Sequence, residues 1–208
     1  MTQVSASPSV STNALAERYR RIRRFSEELA EPLSAEDCAI QSMPDVSPTR
    51  WHLAHTTWFF ETFLLSQQSD YRPFDDSFAY LFNSYYNTIG EQYARAKRGM
   101  ITRPSLPEII DYRRHVDDHL LQMLVSPAGQ GERVIETVEI GLQHEQQHQE
   151  LILTDIKHVL AQNPLRPIYR QGTFQESADS TSVLSNSVHW KSHDEGVYWI
   201  GDDTEGFC

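Results

Sequence analysis

Apolar residues recur at three- and four-residue steps in four long stretches of this chain. Over 12–31, Leu15, Tyr19, Ile22, Phe25 (or Ser26) and Leu29 share one face, the spacing of an amphipathic helix. Pro32 stops it, and Pro44 and Pro48 punctuate the loop that follows. Ser47-Pro48 opens a second helix to about Ser66, with proline at a tolerated first-turn position. Its sequence, WHLAHTTWFFETFLL, is apolar nearly all round, which predicts a helix buried on every side. A short aromatic helix is predicted around 75–86, then a Gly- and Arg-bearing connection. Ser105-Leu106-Pro107 caps a third long helix to about Leu124, with Ile109, Val116, Leu120 and Met123 as its stripe. The fourth runs from about Gly131 to Ala161, ended by Asn163-Pro164.

Residues 1–11 are Ser/Thr-rich and predict a disordered N-terminus. Residues 171–194 lack apolar periodicity and predict a linker. Val197, Tyr198, Trp199 and Ile200 then predict a short strand. The fold class expected is all-α: a four-helix bundle over 12–170 with one long crossover. The residues from 195 to 208 are expected to start a second domain.

Composition narrows the function classes. Lys plus Arg is 18 and Asp plus Glu is 29 among 208 residues, a net charge of −11. That balance argues against nucleic acid as a partner, because phosphate neutralisation needs a basic face. The early arginines Arg18, Arg20, Arg21, Arg23 and Arg24 read as a solvated helix face rather than an anion site. Two distant cysteines, Cys38 and Cys208, make neither a disulfide framework nor a thiolate cluster. No stretch approaches a membrane span, and no signal-peptide pattern opens the chain. A cytoplasmic protein without a membrane partner is expected.

Nine histidines are the unusual entry in this composition. His144 and His148, in HEQQHQE, stand at i and i+4 on one helix face, close enough for two imidazoles to share a metal. The string also matches the zinc-protease motif H-E-x-x-H. Its extension fails, however: Leu151 and Thr154 stand where glycine and histidine are required, and no later helix offers a glutamate ligand. A di-iron carboxylate site needs a second Glu-x-x-His, and no glutamate lies three residues before His52, His55, His115 or His119. A mononuclear site needs a third ligand. His115 and His119 lie in the charged stretch DYRRHVDDH and read as a solvated face. His55 lies in the most apolar helix, where an unpaired imidazole is costly, and is the better candidate, with His52 second. Imidazole suits iron, zinc, copper and nickel alike, so the pattern reaches an open three-histidine metal site and leaves the metal open.

SPTRWHLAHTTWFFETFLL, FNSYYN, TRPSLPEIIDYRRHVDDH, HEQQHQELILTDIKHVL and VYWIGDDTEGF together resemble the ergothioneine-biosynthesis sulfoxide synthases, the EgtB family, from about residue 12 to 208. The resemblance implies a DinB-like four-helix bundle followed by a formylglycine-generating-enzyme-like domain. It implies Fe(2+) held by His55, His144 and His148; the family carries Asp at the position of His52. The implied reaction joins hercynine to a thiol, cysteine or γ-glutamylcysteine, with dioxygen. Tyr85 and Tyr86 resemble tyrosines that one branch of the family uses to supply a proton or an electron. Arg98 and Arg103 are candidate substrate-carboxylate clamps, since guanidinium and carboxylate pair as a bidentate fork. By this resemblance the chain stops where the second domain has only begun. That domain is then expected as a partner in cis or in trans, with weak or absent turnover from 1–208 alone.

Two other readings stand beside it. One is a free-standing DinB-like metal-dependent thiol transferase with no redox step. The other is a catalytically incomplete metal-binding fragment.

Overall fold

The computed structural model describes residues 12–84, 90–171 and 190–200. The predicted N-terminal segment 1–11, Tyr85, Tyr86, most of the predicted linker and residues 201–208 lie outside the described residues. The described residues form α1 (Thr12–Ala30), α2 (Thr49–Phe63), α3 (Phe78–Leu81), α4 (Leu106–Val125) and α5 (Glu132–Gln162), with short 3-10 turns between them. The fold is all-helical, a bundle of α1, α2, α4 and α5, with residues 64–105 as the long connection. No helix of the described residues is long and apolar enough to cross a membrane.

The helix α2 is the centre of the bundle because it has no polar face to give to water. Every residue from Thr49 to Glu61 is buried, and α2 packs against both α4 and α5. Trp51, Leu53, Trp58 and Phe60 are almost fully enclosed. Burying such a side chain contributes roughly 1.5–3 kcal/mol. On α1 the buried stripe is Leu15, Tyr19, Ile22, Ser26 and Leu29, while Phe25 is exposed. Ser26 is preferred because its hydroxyl has a buried carboxylate to bond. The third long helix begins with a capping box: Ser105 and Glu108 each bond the other's backbone N–H. All four predicted stripe residues of α4 are buried.

Three expectations need correction. The short helix predicted over 75–86 is confined to Phe78–Leu81. Arg23 is not on a solvated face but is 2% exposed, because it has anionic partners inside the bundle. The chain divides into two units, Met1–Tyr169 and Arg170–Cys208, and in the second Val197–Ile200 form no strand. Val197, Trp199 and Ile200 are exposed there. A strand needs a neighbour for its backbone N–H and C=O groups, and the described residues of that unit offer none.

Candidate metal centre

Three imidazoles converge where α2 and α5 pack. Nitrogens of His55, His144 and His148 all lie within 4.8 Å of one another. The helix α5 supplies His144 and His148 one turn apart, and α2 supplies His55. One feature brings the helices this close. Gly141, one turn before His144, lies directly against Phe60 and Phe59; a Cβ there would sit 2.4 Å from the Phe60 ring. His55 itself lies parallel to Trp51 and Trp58, with ring centroids 4.6 and 5.6 Å away, so its plane is fixed by packing.

Hydrogen bonds set the ring nitrogens. His55 Nδ1 donates to the Phe82 carbonyl at 2.6 Å, which leaves Nε2 as its lone pair. His148 Nδ1 lies 2.8 Å from His52 Nδ1, and His52 Nε2 lies 3.0 Å from Asp155 Oδ2. The buried Nδ1 of His144 has no hydrogen-bond partner among the described residues. An orphaned buried nitrogen beside two other imidazoles fits a metal ligand set. Burial lowers all three pKa values: His144 to about 4, His55 well below the usual range, and His148 likewise, with neighbouring imidazoles adding to the effect. Neutral imidazole is the form that ligates a metal.

Around the cluster lies a cavity of about 250 Å³, lined by Ser47, Trp51, Ser84, Arg95, Arg98 and Gln147 besides the histidines. Arg98 is 3% exposed. It donates to the hydroxyls of Ser47 and Ser84, each at 2.9 Å, and stacks on Trp51 with its guanidinium carbon 3.4 Å from the ring centroid. A cation so held, beside three converging imidazoles, is suited to an anionic ligand group. Arg103 is elsewhere: it is exposed and bonds the neighbouring Thr102 carbonyl. His119 is exposed and His115 half-buried against Tyr71 and Phe74, both apart from the cluster. Tyr85 and Tyr86 lie outside the described residues, directly after the cavity residue Ser84.

The motif's glutamate faces other partners. Glu145 accepts from Arg23 at 2.8 Å, Arg113 at 3.0 Å and Ser26 at 2.6 Å. Arg23 also bonds Asp117 and Thr57, and Arg113 bonds the Leu53 carbonyl. This network joins α1, α2, α4 and α5, and it fixes the rotation of α5 that aims His144 and His148 at His55. Periodicity alone did not reveal it, although Arg23 stands four residues after Tyr19 on the α1 stripe. Asp155 was also missed, although it stands seven residues after His148 and so on the same face.

A family model described as DinB superfamily matches residues 18–152, a span that contains His55, His144 and His148. No curated protein matches the chain.

Proposed function

This chain belongs to the DinB superfamily, and from that premise we propose that His55, His144 and His148 hold iron(II) in a sulfoxide synthase of ergothioneine biosynthesis. The observation that carries the reading is the convergence of three imidazole nitrogens within 4.8 Å beside a buried arginine. The choice of iron and of this reaction rests on the resemblance of the two histidine motifs and their flanks.

In the proposed reaction, hercynine loses a C–H hydrogen and the thiol, cysteine or γ-glutamylcysteine, loses its S–H hydrogen. A C–S bond forms, one oxygen atom of dioxygen becomes the sulfoxide, and the other leaves as water. Dioxygen takes up the four electrons released by C–S bond formation and sulfur oxidation. Iron(II) at the histidines supplies the redox chemistry that dioxygen requires. Three neutral imidazoles leave the ion's charge intact and leave coordination positions open. Arg98, oriented by Ser47, Ser84 and Trp51, pairs with a substrate carboxylate through charge-assisted hydrogen bonds. Tyr85 and Tyr86, next in sequence to Ser84, are the proposed proton or electron donors. The second domain expected from the resemblance supplies the remaining substrate contacts.

Anaerobic loading of the chain with iron(II), followed by nitric oxide and electron paramagnetic resonance, tests the reading. A high-spin iron–nitrosyl signal that changes with hercynine and with one of the thiols supports it. A chain that takes up no iron(II) and gives no iron–nitrosyl signal overturns it. Preference for zinc, with thiol consumed in the absence of dioxygen, assigns the site instead to a metal-dependent thiol transferase.

A further inference from the structure

His148 and Asp155 stand seven residues apart on α5, so they share a face about 10.5 Å apart along the axis. That is too far for direct contact. His52, reaching in from α2, bridges the gap: its Nδ1 is 2.8 Å from His148 Nδ1 and its Nε2 is 3.0 Å from Asp155 Oδ2. Asp155 Oδ2 also accepts the Ser47 backbone N–H at 2.9 Å. His52 and Asp155 are buried, and His148 is half-buried.

The placement of protons follows from donor and acceptor counting. An ionised carboxylate only accepts, so the proton between Asp155 and His52 is on His52 Nε2. A neutral imidazole has one N–H, which leaves His52 Nδ1 as an acceptor. Two nitrogens 2.8 Å apart then share the proton of His148 Nδ1, and the one lone pair left on His148 is at Nε2. Resting on the three-histidine reading above, we infer that the Asp155–His52 pair fixes the tautomer and ring orientation of His148 for metal binding, so that His52 is a positioning residue and not a ligand. His55 reaches the same tautomer through a backbone carbonyl. The two helices thus present Nε2 by different means. Partners of this kind orient a metal-binding histidine and raise its basicity, and their loss typically weakens metal affinity about 10- to 100-fold.

Two measurements test this, one of them without metal. In metal-free protein labelled with 15N in its imidazoles, long-range 1H–15N correlation near pH 8 should show His148 as the Nδ1–H tautomer and His52 as the Nε2–H tautomer. His148→Gln and His52→Leu provide the assignments. Finding His148 as the Nε2–H tautomer overturns the inference, whatever the metal does. In cobalt(II) titrations against a competing chelator, His52→Leu should weaken binding about 10- to 100-fold. His52→Asn, whose side-chain oxygen can take the place of the Nδ1 acceptor, should recover most of that loss. Equal affinity in wild type and His52→Leu overturns the inference while leaving the three-histidine site intact. A wild-type chain that binds no cobalt overturns the metal reading and the support role together.

Discussion

Glu145 turns its carboxylate onto Arg23 at 2.8 Å, between α5 and α1, while His144 and His148 on the same helix meet His55 of α2. One step along a helix is about 100°, so neighbours in the motif face different helices. This sets the string apart from the protease motif, whose glutamate acts as a base beside the metal: here the glutamate is enclosed by two arginines and a serine hydroxyl.

The Glu145 ion pairs should dominate acid stability. Burial favours the neutral acid, but the charges of Arg23 and Arg113 overcome it and hold the group at about 2. Its folded pKa is thus depressed. The stability it contributes is present above the ordinary glutamate value of 4.5 and is lost as pH falls towards 2. Glu145→Ala leaves two guanidinium groups buried without it and should cost about 3–5 kcal/mol, read from urea unfolding at pH 7. A variant within 1 kcal/mol of wild type, by the same measure, contradicts the network's role.

Gly141→Ala should destabilise the protein although alanine favours helices. The added methyl meets the Phe60 ring at 2.4 Å and the Phe59 ring at 2.9 Å. Overpacking of this kind costs about 1–3 kcal/mol, more than the roughly 1 kcal/mol of helix propensity regained. The same shift moves His144 away from His55, so metal affinity should fall with the melting temperature. A melting temperature at or above that of wild type would contradict the close approach.

His144→Ala should abolish metal binding and leave helicity largely unchanged. The residue has no hydrogen bond through Nδ1 to lose, and its neighbours on α5 keep their packing. Metal analysis after anaerobic loading, beside far-UV circular dichroism, reads the two effects separately. Undiminished metal in this variant removes His144 from the site.

Arg98→Met should weaken binding of a carboxylate-bearing thiol far more than binding of nitric oxide. Loss of a hydrogen bond to a charged group costs about 1.5–3 kcal/mol, roughly 10- to 100-fold in affinity. Titration of the iron–nitrosyl signal with cysteine measures it. Equal cysteine affinity in the variant excludes Arg98 as the clamp.

Cys38 should resist alkylation in the native state. Burial, with Asp37 adding to it, pushes its thiol up to about 12, so almost no thiolate exists at pH 8. Because this folded pKa is raised, the associated stability is present below the ordinary thiol value and is lost as pH rises towards 12. Site-resolved mass spectrometry with iodoacetamide should show modification at Cys38 only after unfolding. Rapid labelling in native buffer argues against its enclosure.

Helix positions were legible because each long helix writes its own periodicity and stops. Pro32 ends α1, Ser105 caps α4, and Asn163-Pro164 closes α5. The enclosure of His52 and His55 was legible too, from the apolar run of the helix that carries both. The strand at Val197–Ile200 was misread, because alternation describes a surface that needs a neighbour. Arg23 was misread for a related reason: a cation on a helix looks solvated until its anions are known to lie on other helices.

The sequence by itself determined the four helices, the enclosure of α2 and the one-turn spacing of His144 and His148, since each depends only on residues within a turn or two. Only the tertiary structure decided that Arg23 and Arg113 are buried against Glu145, that Gly141 admits Phe60, and that His52 stands between His148 and Asp155. Those relationships join residues 32 to 122 positions apart, and they depend on how the helices rotate against one another, which the pattern along any one helix does not specify.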